Sequence, residues 1–90
     1  MDQQEFARQL TEEGFDEVLT TSVPANRQVD AHSHPFAVKA MVLAGEVTLG
    51  VAGRQTTYRT GDIYTMARGC EHTELYGPEG LDLVFGRKHR

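Results

Sequence analysis

Two histidines, His32 and His34, stand one residue apart, and on extended chain that spacing presents both imidazoles on one face, as a chelating pair requires. His72 opens a second β-prone run, with Glu74 at i+2 and Tyr76 at i+4, so all three share its face. If the two faces meet, three imidazoles, one carboxylate and one phenol surround a common point. Such a donor set suits Fe(II), Mn, Ni, Zn or Cu. A His-x-His pair alone is a weak signal, because nearby surface histidines usually do nothing.

Glu74 reads as a metal ligand or general base, against the blander reading of an edge carboxylate paired with an arginine. Tyr76 reads as a hydrogen-bond donor to substrate or metal-bound water, or as strand packing. Cys70, in the turn before His72, offers a thiol, although a lone cysteine is usually an inert small residue. Phe36, Val38, Ala40 and Val42 follow the parity of His34 and are expected to wall the cavity, with Met66 and Phe85 as further contributors. Lys39 alternates outward, away from any Schiff-base role.

These residues need strands to position them. Asp2 ahead of Glu5 is a capping signal, Phe6 and Leu10 fall at i and i+4, and Gly14 is a stop, which predicts a short helix over 3–13. Beyond Phe15 the helical period vanishes. Strands are predicted at 17–22, 27–31, 36–43, 47–51, 55–59, 63–66, 72–76 and 81–85, with turns at 24–26, 44–46, 52–54, 60–62, 67–71 and 77–80. The expectation is an all-β sandwich or barrel over 15–90, with the helix of 1–14 part of the same domain. Met41 and Leu43 would face outward and need cover.

The run from His32 to Tyr76 resembles a small single-domain cupin. In the first cupin motif, His-x-His is followed after three or four residues by Glu and after six more by Gly; here His32, His34 and Gly45 keep the register, but Val38 stands where the acidic ligand belongs. The second motif is matched by Gly61, Gly69 and His72, with Ala67 for its proline and Tyr76 for its asparagine. About fifteen residues separate the motifs. The resemblance implies a jelly-roll β-barrel with a metal near its axis, held by His32, His34 and His72, with Glu74 as a substitute for the missing carboxylate. Some cupin dioxygenases are similar in using three histidines. Three neutral ligands would leave a divalent ion its full charge, favouring an anionic or enolisable substrate.

The expected function is therefore a divalent-metal-dependent enzyme of the dioxygenase, isomerase or lyase type. The alternative is a non-catalytic metal- or small-molecule-binding module, acting as a sensor or accessory subunit. Which of Fe, Ni, Mn, Zn or Cu it takes is left open by histidine ligands. Other classes fit poorly. A net charge of -4 offers no field for a nucleic-acid backbone, and the basic run Arg87, Lys88, His89 and Arg90 reads as a solvated tail. No apolar run approaches the ~20 residues of a membrane helix, and one cysteine permits no internal disulfide, so a cytoplasmic location is expected. Ninety residues support only a modest core, which together with the outward apolar positions predicts a homodimer.

Overall fold

The computed structural model describes residues 1–89. Helix α1 spans Gln3–Glu12; the Asp2 carboxylate accepts the Glu5 N–H at 2.8 Å, and Gly14 ends the turn at φ +86°. Phe6 and Leu10 are fully buried against Met41 and Val84, with Phe15, Val18 and Leu43 packed around them. Met41 and Leu43 do point outward, but the chain's own helix covers them, so these side chains need no second subunit. Lys39 clamps the helix end by reaching both Glu13 carboxylate oxygens, at 3.0 and 3.1 Å.

Six strands form where eight were expected: β1 (Glu17–Val23), β2 (Gln28–His32), β3 (Ala37–Val51), β4 (Arg54–Arg59), β5 (Ile63–Met66) and β6 (His72–Lys88). The predicted turns at 44–46 and 77–80 are instead bends within the long strands β3 and β6. These two strands pair antiparallel along their length, with register shifts between Val42 and Ala44 and between Gly45 and Val47. Gly45 pairs with Leu81, and a methyl group at Gly45 would collide with the Gly80 carbonyl. Both glycines have positive φ, so local glycine signals that read as turns serve a corner made by two crossing strands.

The bends divide the pairing into two four-stranded layers. One runs β1, β6, β3, β5 through the second half of β6 and the first half of β3; the other runs β2, β6, β3, β4 through the remaining halves. The result is the jelly-roll barrel anticipated from the sequence. Each register shift also changes which parity faces inward: Ala40 and Val42 give way to Val47 and Leu49, and Tyr76 gives way to Leu81 and Leu83, all in one core. A two-residue turn, Ala52 and Gly53 with φ of 50° and 78°, joins β3 to β4.

The basic run near the C-terminus is not a solvated tail. Strand β6 continues to Lys88, the Asp16 N–H donates to the Arg87 carbonyl at 2.9 Å, and the His89 N–H donates to Asp16 Oδ2 at 2.7 Å. Arg90 lies outside the described residues.

Candidate metal centre

Antiparallel pairing sets His32, the last residue of β2, directly opposite His72, the first of β6. Their ring centroids are 4.2 Å apart. His34 lies beyond the end of β2 rather than on the extended strand assumed from its spacing. Its carbonyl accepts the Gly69 N–H at 2.9 Å, which ties this segment to the turn preceding β6. The His34 ring reaches to 4.9 Å from that of His32 and 5.4 Å from that of His72. One ligand atom from each of the three lies within 4.8 Å of the others, a cluster that could hold a metal ion.

The donor chemistry fits a cation. His32 Nδ1 lies 2.8 Å from the Asp30 carbonyl and His72 Nδ1 lies 3.1 Å from the Cys70 carbonyl. A carbonyl only accepts, so each Nδ1 carries the hydrogen and donates it, which frees the opposite Nε2 lone pair for a metal. Those Nε2 atoms face Glu74 Oε2, at 3.1 Å from His32 and 3.7 Å from His72. With a proton on Nε2 such a contact is an ion pair; in the neutral ring both atoms are acceptors, and a metal cation between them takes the proton's place. Burial, followed by the imidazoles of His32 and His72, holds the pKa of His34 below the usual histidine value and favours its neutral, ligating form.

Glu74 stands beside the cluster rather than within it, and its other oxygen, Oε1, accepts the Tyr76 hydroxyl hydrogen at 2.7 Å. Burial, that hydrogen bond and the neighbouring negative charge push the Tyr76 phenol far above its ordinary range, so it remains a donor. Cys70 contributes its backbone carbonyl and not its thiol, which is outside the ligand cluster.

A cavity of about 180 Å³ opens over these groups, lined by His34, His72, Glu74 and Tyr76 together with apolar side chains. Of the expected wall, Phe36 and Val38 line it, as do Met66 and Phe85. Ala40 and Val42 do not: they share the parity but lie fully buried in the barrel core. Arg87 also lines the cavity and was missed, having been assigned to a tail. The alternation Leu83, Phe85, Arg87 on one face of β6 was the signal that could have found it.

Comparison with known proteins agrees with this architecture. The sequence model of the cupin domain family matches residues 19–74, more than half of the chain. An RmlC-like cupin from Shewanella frigidimarina superposes with a TM-score of 0.69 at 18 % identity, covering 81 % of this chain and 65 % of its own. The Cnp3 cupin domain of Schizosaccharomyces pombe gives 0.70 at 14 % identity, over 79 % of this chain and 50 % of that one. A protein from Rhizobium leguminosarum gives 0.69 at 16 % identity, over 94 % and 92 %. The chain thus spans half to two thirds of the first two structures and nearly all of the third. At these identities the structures speak to fold alone, and no curated protein sequence matches. The barrel and the family match lead to one conclusion: this chain belongs to the cupin domain family.

Proposed function

We propose that this cupin is a divalent-metal-dependent enzyme of the dioxygenase, isomerase or lyase type, acting on a small anionic substrate with His32, His34 and His72 as metal ligands. The observation that carries this reading is the convergence of three imidazoles, two of which, His34 and His72, stand in the wall of a cavity. A purely structural metal would have no need of adjoining space. A divalent ion held by these three histidines would supply a Lewis acid beside the cavity.

The protein's own groups do the rest. Glu74 Oε2 would accept a proton from the substrate or return one, a role supported by the Tyr76 hydroxyl, which donates to Oε1 and so orients the carboxylate. Phe36, Val38, Met66 and Phe85 keep water from the reacting face. Val38, in place of the motif's carboxylate, supports a second reading: a module that binds metal or a small molecule without turnover. Oxygen consumption or turnover in a panel of small acids and diketones separates the two.

The test of the metal site is elemental analysis of the untagged protein beside His72→Ala. About one equivalent per chain in the wild type, lost in a folded variant, is the expected result. Absence of metal after anaerobic reconstitution with iron, nickel, manganese, zinc and copper in turn would overturn it.

A further inference from the structure

The groups that line the cavity do not all serve the histidine cluster. Arg87 enters from β6, between its partners Glu17 on β1 and Val38 on β3, and its guanidinium lies over two aromatic rings, 5.1 Å from the Phe36 centroid and 5.4 Å from that of Phe85. Its Nε is buried and has no hydrogen-bond partner among the described residues. A buried donor without an acceptor is destabilising, more so when charged, so native proteins rarely leave one unless water or a ligand takes it.

No lining carboxylate is available to pair with it. Glu74 is the only acidic residue among the lining residues; its Oε1 accepts from the Tyr76 hydroxyl and its Oε2 lies 3.1 Å from His32 Nε2, so it belongs with the histidine cluster. Among the described residues no ion pair joins Arg87 to any carboxylate. The two rings pack against the guanidinium, and Arg87 is among the residues that line the cavity, where its fork of donors can meet an incoming group. Phe36 itself stacks on His34, with centroids 4.9 Å apart and planes 13° apart, so this one ring touches both Arg87 and a histidine of the cluster.

We propose that Arg87 is the carboxylate-recognition residue of this cavity, and that its ligand is a short-chain carboxylic acid with a second oxygen, such as a 2-hydroxy or 2-oxo acid. The carboxylate meets the guanidinium edge, the short carbon chain lies on Val38, Met66 and Phe85, and the second oxygen faces the histidine cluster. Only that last contact rests on the functional reading given above. A planar fork matches a carboxylate, and a cavity of about 180 Å³ with mostly apolar walls suits a few carbons better than a phosphate.

The experiment follows the Arg87 Nε–H resonance in ¹⁵N-correlation spectra while lactate is titrated into chelator-treated protein and into protein loaded with zinc. The resonance is expected to move on binding in both, with affinity about tenfold or more higher in the zinc form. In the variants, which lack that resonance, binding is followed by the backbone amides of Val38 and Phe85 in the cavity wall: Arg87→Leu should bind about 10- to 100-fold more weakly at unchanged zinc stoichiometry, and Arg87→Lys, which keeps the charge and stem without the fork, should fall between. Methyl lactate should not move the resonance. Equal binding by folded Arg87→Leu, by methyl lactate or by inorganic phosphate would overturn the assignment. If zinc does not bind the wild type, the metal reading falls, while the shift in the chelated protein still decides the role of Arg87.

Discussion

The two sides of the layer built from β1, β6, β3 and β5 are occupied in opposite ways. On the outer side, Phe6, Leu10, Met41 and Val84 are at most 2 % exposed and consist only of apolar side chains. On the inner side, near one end of the barrel, the same strands deliver Val38, Phe85 and Arg87, and the segment entering β3 delivers Phe36, to a cavity beside the three imidazoles. Alternation along β3 and β6 sends neighbouring residues to opposite fates: Met41 and Val84 to the helix, Val38 and Phe85 to the cavity. Burial stabilises the outer face, whereas the inner end keeps polar groups only partly satisfied. Stability and chemistry are thereby assigned to different sides of one sheet.

If that division holds, a change on one side should leave the other untouched. Phe6→Ala removes the largest fully buried side chain and should cost about 3–5 kcal/mol, lowering Tm by roughly 15 °C or more, with metal stoichiometry in the folded protein unchanged. Metal loss in a folded Phe6→Ala protein, measured by elemental analysis, would break the comparison. Glu74→Gln acts only on the inner end. With Glu74 as proton carrier, metal affinity should change less than tenfold and thermal stability little. A drop of about 10- to 100-fold in competition titrations would make Glu74 a ligand instead. The smallest effect belongs to neither region. Ala52→Asn, at the β3–β4 turn where φ is 50°, should add about 0.5–1 kcal/mol in denaturant unfolding and leave metal binding alone, since asparagine tolerates the left-handed conformation better than alanine.

Much of this arrangement was legible locally. The helix was readable because its signals sit within a few residues: the Asp2 cap, the Phe6 and Leu10 pair and the Gly14 stop. His72, Glu74 and Tyr76 could be placed on one face because all three lie on a single strand. The strand count could not be read the same way. A glycine with positive φ in a hairpin and one in a bulged corner leave the same trace in sequence, and only the pairing of Gly45 with Leu81 distinguishes them. Ala40 and Val42 carried the parity of a cavity wall, but parity states a direction and not a depth, and depth left them in the core.

The sequence by itself determined which residue types could meet: histidines at ligand spacing, a carboxylate and phenol two and four residues past the third histidine, and a chain whose β-forming runs imply an all-β sandwich or barrel. Tertiary structure alone decided three things. It set His32 opposite His72, it covered Met41 with the helix, and it placed Arg87 between Phe36 and Phe85 rather than in solvent. The physical reason is separation along the chain. Hydrogen-bond register and side-chain alternation act over a few residues and leave a local pattern, whereas contacts between residues 40 or 50 positions apart depend on where β3 and β6 bend.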